Sequence, residues 1–280
     1  GFGSFSRMLS PCWRRGRPAA VVWILAWGSG ISMACGGDEG PSTPDPVTTE
    51  QTQVFAGLFP GSCYDYEFTI PGSMRQSVSR VDVVETEPFR YPGRVTVRWD
   101  QALTGGDSTV RIFEFRGPVM VLLESIRGSM PEFQRFYEVE GQEVDMRFPE
   151  PVWLELLPPQ GSEDFPRLDL GPDDGFITQT TPELQREAGM QVDDPPEEIH
   201  TWRVVSNSAQ VDRGDLGTFE AIELRYEIAR GADRETSTWF LAPGVGFVRF
   251  TDFSGTQFRL IDYRVTRPDG TSEGALDCSG

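Results

Sequence analysis

The chain reads as a mostly β protein: a large antiparallel curled sheet or half-barrel with at most one or two short helices, preceded by a signal segment and a flexible linker. Three observations lead there. Apolar and polar residues alternate with period two through most of the chain after residue 54, which puts apolar side chains on one face of a sheet. The alternating runs are short and broken by Gly- and Pro-bearing turns. Helical start signals are nearly absent.

Taken in chain order, the first feature is a basic Arg14-Arg15-Gly16-Arg17 cluster and an apolar run from Ala19 to Met33. Ala34-Cys35 and polar sequence follow. Charge, apolar core and a small residue in that order make an export signal. Met8 stands at the usual distance upstream of the basic cluster, so residues 1–7 read as leader. The apolar run is shorter than the roughly 20 residues that a membrane-crossing helix needs. A cysteine directly after the small residue is what lipoprotein processing modifies, so Cys35 is the expected lipidation site. Ordinary cleavage after Ala34 is the alternative. The expected division is therefore 1–34 as signal, 35–53 as a disordered tether, and 54–280 as a single antiparallel β domain.

Composition narrows the chemistry. All 25 basic residues are arginine, and His200 is the sole histidine. Without lysine there is no Schiff-base chemistry and no phosphate-loop lysine, and one histidine cannot build a multi-histidine metal site. From residue 35 onward the chain carries 21 basic against 43 acidic residues, a net charge of −22. Such a surface repels nucleic acid. No cofactor, metal or nucleic-acid partner is expected.

The tether, residues 36–53, is rich in Gly, Pro, Ser, Thr and acids and lacks apolar periodicity. Beyond it, Tyr64, Tyr66, Phe68 and Ile70 alternate with polar residues up to a Pro71-Gly72 turn. Val95–Trp99 and Val110–Phe115 flank the Thr104–Asp107 turn as a hairpin. Val119–Ile126, Phe133–Val139, Val144–Phe148 and the stretch around Val152–Leu157 continue the strands. An acidic, Pro-rich insertion occupies about 158–197; it holds either a short helix over Pro182–Met190, capped by Thr181, or irregular chain. The most regular part is a closing meander: Thr201–Ser206, Gly217–Ala229, Glu235–Leu241, Val245–Asp252 and Gln257–Arg267. Cys63 and Cys278 are the two cysteines left after the signal, and in an oxidising compartment they pair as a disulfide.

The closing meander carries Thr201-Trp202, then Asp215-Leu216-Gly217-Thr218-Phe219 leading into a strand. Ser237-Thr238-Trp239-Phe240, a Gly244-Val245-Gly246 turn and Phe258–Tyr263 follow. In this order of elements, over about residues 200–265, the chain resembles uncharacterised exported bacterial β-sheet lipoproteins, the TapB-like and related families. The resemblance implies a half-barrel similar to the LolA/LolB-like carriers, whose concave face accepts acyl chains.

The candidate residues follow. Trp99, Phe113, Phe115, Trp239, Phe240 and Phe258 either pack as a β core or line a ligand cavity. His200 after Glu197-Glu198 reads as a packing residue rather than a general base, since no serine elbow or orienting partner accompanies it. Asp169, Asp173, Asp174, Asp193 and Asp194 lack the spacing of a calcium loop and read as solvated acids. No catalytic residue is assigned. The expectation is an exported, lipid-anchored, non-enzymatic protein of the cell envelope, facing the periplasm or the cell surface. Its partners would be the membrane, through the N-terminal anchor, and a hydrophobic ligand or a protein. The alternative is a carboxylate-based hydrolase with paired acids about 5–9 Å apart in one cleft.

Overall fold

The computed structural model describes residues 44–279 except 87–90, 104–107, 128–129, 135, 140–141, 146–151, 162 and 181–197. Cys35, Asp193, Asp194 and the helix expected over Pro182–Met190 lie outside the described residues. Residues 44–280 form one compact unit.

A helix α1 (Thr49–Ala56) comes first. The N-terminal strands are β1 (Cys63–Thr69), β2 (Gln76–Glu85), β3 (Val95–Ala102), β4 (Ser108–Arg116) and β5 (Val119–Arg127). Three short strands follow, β6 (Met130–Gln134), β7 (Phe136–Val139) and β8 (Gln142–Asp145), then β9 (Val152–Leu157) and β10 (Arg167–Leu168). The C-terminal run is β11 (Gly175–Thr180), β12 (Glu198–Asp212), β13 (Thr218–Arg230), β14 (Asp233–Ala242), β15 (Gly246–Thr251), β16 (Gln257–Thr266) and β17 (Ser272–Gly274).

All strands but β7 and β8 join one antiparallel sheet, in the order β10-β9-β5-β4-β3-β2-β1-β16-β15-β14-β13-β12-β11, with β6 beside β5 and β17 beside β16. Two meanders therefore meet where β1 pairs β16, with Tyr64 opposite Tyr263 and Phe68 opposite Phe258. The Cys63–Cys278 disulfide, spanning 215 residues, closes beside that junction. Laid flat, the thirteen strands on this path would stretch about 55–60 Å at the usual strand spacing. Yet the outer strands β10 and β11 are joined by residues 169–174 alone, a stretch that reaches at most about 25 Å. The sheet has to curl. Its two sides meet through side chains, Trp153 of β9 lying 4.0 Å from Trp202 of β12 between ring centroids.

The sequence reading missed β2, β10, β11, β17 and α1. In β2 the inward residues are Ser79, Val81 and Val83, a face too short and too polar to stand out. In β11 Ile177 is exposed, so no apolar alternation marks the strand. The helix corrects the tether's expected end at residue 53. Residues 44–53 are ordered, because Thr48 and Gln51 form a reciprocal capping box and Thr52, Phe55 and Ala56 are buried. Thr52 Oγ1 donates to the Gly117 carbonyl at 2.5 Å, and the Gly117 amide donates to Thr49 Oγ1 at 2.8 Å. These are contacts with the β4–β5 turn, which local periodicity does not encode.

The strand registers sort the turns into two ends. The helix end holds α1, Gly117 and the Pro243-Gly244 turn between β14 and β15, whose Gly244 amide donates to the Phe55 carbonyl at 2.8 Å. The opposite end, the mouth, holds the β1–β2, β13–β14 and β15–β16 turns. Between the ends the interior is one aromatic and aliphatic core. A small second cluster, Tyr91, Ile112, Val121 and Leu123, lies on the other face of β4 and β5. There the buried Glu124 accepts a short hydrogen bond from the Tyr91 hydroxyl.

Candidate functional site

All six aromatic candidates are buried in the core. Trp99, Phe113, Phe115, Trp239 and Phe258 are each at most 3% exposed and belong to the core. Their rings touch one another rather than a void: Trp239 stacks on Phe250 at 4.4 Å, Phe250 on Phe258 at 4.4 Å, and Trp99 meets Trp239 edge-on at 6.0 Å. Phe240 is also buried and belongs to the core, with the Arg249 guanidinium over its ring at 3.7 Å.

The interior opens at the mouth, in a cavity with about 30 Å³ of free space, enough for about two water molecules. Of the aromatic candidates only Trp239 lines it, with Trp153, Tyr226 and Phe253 as further rings. The residue that sequence reasoning did not single out is Arg111, at the cavity wall. It is buried, yet it is a cation. Its Cζ lies 4.8 Å from the centroid of Trp99 and 4.9 Å from that of Trp239, within cation–π range of both. Its Nη1 donates to Gln101 Oε1 at 3.4 Å, Gln101 Nε2 donates to Ser79 Oγ at 3.2 Å, and Ser79 Oγ donates to the Ala102 carbonyl at 2.8 Å. A polar relay thus crosses β2, β3 and β4 inside an otherwise apolar wall. The signal was present in the sequence: Arg111 shares the parity of Phe113 and Phe115, and Gln101 that of Val97 and Trp99.

Thr109 and Ser125, both buried, bring hydroxyls to the same cavity. The indole N–H groups of Trp99, Trp153, Trp202 and Trp239 are buried without a hydrogen-bond partner; Trp153 and Trp239 line the cavity. A buried donor left without an acceptor costs about 1–3 kcal/mol. Asp252, a carboxylate among the described lining residues, holds its own turn, where Oδ1 accepts from the Ser254 amide at 2.9 Å, the Ser254 hydroxyl at 2.6 Å and the Thr256 amide at 3.0 Å. Among the described residues the site is rich in donors and holds no pair of opposed acids.

His200 is buried on β12, its Nδ1 2.6 Å from the Tyr226 hydroxyl oxygen, and Tyr226 stacks on Trp202 at 4.1 Å. It extends the ring stack. Asp169, Asp173 and Asp174 lie in the exposed link from β10 to β11. The Asp173 amide donates to the Val204 carbonyl, and Asp174 Oδ2 accepts from the Gly171 amide. Among the described residues no group of three His, Cys, Asp or Glu side chains could hold a metal ion, and no helix is long and apolar enough to cross a membrane. A larger hollow of about 630 Å³ runs beside the disulfide. It is an open groove in which Arg80 pairs with Asp65 at 3.2 Å and Asp82 at 3.0 Å.

No protein-family model matches the chain, and no curated protein matches it. Two solved structures resemble it. One is a protein of Parabacteroides distasonis named as a lipoprotein, 12% identical over 75% of this chain and 97% of its own, with a TM-score of 0.39. The other is a Bacteroides fragilis protein named as exported and YmcC-like in fold, 12% identical over 75% of this chain and 98% of its own, with a TM-score of 0.37.

Proposed function

We propose that this chain is an exported, lipid-anchored, non-enzymatic envelope protein that acts by binding at the mouth of its half-barrel and does not carry an acyl chain inside it. The observation that supports this reading is the ring-to-ring packing of the described interior residues, beside which the cavity at the mouth has about 30 Å³ of free space, against about 300–1,000 Å³ for ligand pockets. Export rests on the Arg14–Cys35 signal and agrees with the Cys63–Cys278 disulfide, since such bonds persist in oxidising compartments.

The test is intact-mass spectrometry of the full-length chain purified from its own envelope in mild detergent. The expected product starts at Cys35, carries acyl chains there, has Cys63 and Cys278 oxidised, and retains no stoichiometric lipid passenger. An uncut chain in the cytosol with both thiols free overturns export. A passenger acyl chain bound one to one overturns binding at the mouth in favour of carriage.

A further inference from the structure

We infer that Arg213, Arg249 and Arg259 form a binding site for a phosphate group on the face of β15 and β16 opposite the core. The site is separate from the mouth, so it goes beyond the reading above and can fail without it. Strand register brings the arginines together. Arg249 and Arg259 are direct cross-strand partners, and the next pair along, Phe250 and Phe258, stacks in the core at 4.4 Å. Neighbouring strand residues point to opposite faces, so the two guanidiniums leave from the other face, Arg259 exposed and Arg249 half-buried. The β15–β16 ladder ends at this pair. Arg213, from the β12–β13 turn, reaches the carbonyl that follows it: its Nε and Nη2 donate to the Leu260 carbonyl at 3.0 and 2.9 Å. That holds a third guanidinium beside Arg259.

Such a placement costs stability. Like charges directly opposite on a strand pair repel, and the chain has 43 acids for 25 arginines, enough to pair each one. Yet among the described residues none of these three arginines makes an ion pair, and Arg249 rests on the Phe240 ring at 3.7 Å. Burial, and after it the charges of Arg259 and Arg249, hold the Arg213 guanidinium below the usual arginine value. The surrounding acids flank the cluster: Glu67 opposite Arg259 on β1, Glu223 opposite Phe240 on β13, and Asp212, whose Oδ1 accepts from the Gly214 amide at 2.9 Å. An anion among the arginines relieves their repulsion. A phosphate monoester brings about −1.5 to −2 charge and three acceptor oxygens, which suits three guanidiniums better than a singly charged carboxylate. The flanking acids restrict the ligand to one compact group and disfavour a polyanion. A soluble ester and a lipid head group offer the same phosphate, and an attached acyl chain separates them.

The experiment is isothermal titration calorimetry of the full mature chain in mild detergent with inorganic phosphate, and with acetate at matched ionic strength as control. The expected result is saturable phosphate binding, acetate binding weaker by about tenfold or more, and a loss of about tenfold in phosphate affinity in Arg249→Gln and in Arg259→Gln. Arg234→Gln removes the same charge from an exposed ion pair with Glu227 and should leave phosphate affinity unchanged. If Arg249→Gln does not fold, Arg259→Gln, at an exposed position, decides. Dihexanoyl phosphatidic acid binding more than about tenfold tighter than glycerol phosphate assigns a lipid head group, and equal binding assigns a soluble ester. Equal binding of phosphate and acetate, binding of neither, or an equal loss in Arg234→Gln overturns the inference. The envelope reading survives that failure, since it stands on the mass of the purified chain.

Discussion

Removing the disulfide should weaken the domain without changing its fold. The perturbation is the double variant Cys63→Ser and Cys278→Ser, which leaves no odd thiol. The bond closes a loop of 215 residues, and the chain-entropy model assigns such a loop about 5 kcal/mol, most of it from restricting the unfolded chain. Measured gains for long loops fall below that model. In the folded state the bond adds little that is not held otherwise. The β1–β16 ladder runs from Cys63 to Thr69 with its own hydrogen bonds. The tail is pinned by the β16–β17 pairing, by the Leu276 amide donating to the Tyr263 carbonyl at 3.2 Å, and by Arg80 Nη2 donating to the Asp277 carbonyl at 2.8 Å. The loss should therefore be about 3–5 kcal/mol, and at about 2–4 °C per kcal/mol for a domain of this size it should lower Tm by about 10 °C. Calorimetry and urea unfolding followed by circular dichroism measure it. The urea m-value should rise, because the unfolded chain expands once uncrosslinked, and the reduced unaltered protein should match the variant. A Tm change below about 2 °C with an unchanged m-value would refute the claim that the bond acts on the unfolded chain.

Two further outcomes follow from buried groups around α1 and β1. Gly57 ends α1 at φ 68° and its added Cβ would sit 2.5 Å from the Val245 carbonyl carbon, so Gly57→Ala should cost about 3 kcal/mol or more, read as a drop in the urea midpoint. A midpoint within experimental error of the parent would show that the β14–β15 turn yields easily. Tyr64 and Tyr66 are buried with hydroxyls donating to the Gly57 carbonyl at 2.5 Å and the Phe247 carbonyl at 2.6 Å, and burial raises both above the ordinary tyrosine value. The unfolded chain releases these protons near pH 10 while the folded chain keeps them. Stability should then hold below pH 10 and fall above it by about 1.4 kcal/mol per pH unit for each tyrosine. Tyr66→Phe should roughly halve that slope, and a flat profile between pH 9 and 11.5 would count against the buried pair.

What the sequence made legible is the part of the fold that local alternation encodes. Tyr64-x-Tyr66-x-Phe68 and the closing meander read directly as strands because one face of each is apolar and the other solvated. The pairing of Cys63 with Cys278 followed from removing the signal. The helix α1 was hidden because its sequence, TEQTQVFA, is mostly polar and its burial comes from the Gly117 and Gly244 turns, far away in the chain. The site was half legible. Trp239 was singled out as an aromatic, while Arg111 was passed over because a charged residue in a strand is normally read as solvent-facing. Counting parity from Phe113 would have placed it inside.

The ring packing of the described interior residues sets the candidate site apart from the rest of the core. Barrels of about eight strands are just filled by side chains, and wider ones enclose a ligand space or a channel. The thirteen strands on the path here would leave such a space if the inward residues were of ordinary size. Instead Trp99, Trp239, Phe247 and Phe250 meet ring to ring across the interior, Trp153 joins them from β9, and α1 fills the helix end with Phe55 against Phe165. Aromatic side chains bury about 150–250 Å² each, so this packing stabilises the sheet. At the mouth the packing gives way to Arg111, Gln101, Ser125 and Thr109, groups whose burial costs stability unless they are hydrogen-bonded. An apolar side chain at position 111 would continue the Phe113 and Phe115 face without that cost. The presence of a guanidinium there, beside two unpaired indole donors, is the point at which this core departs from what packing alone requires.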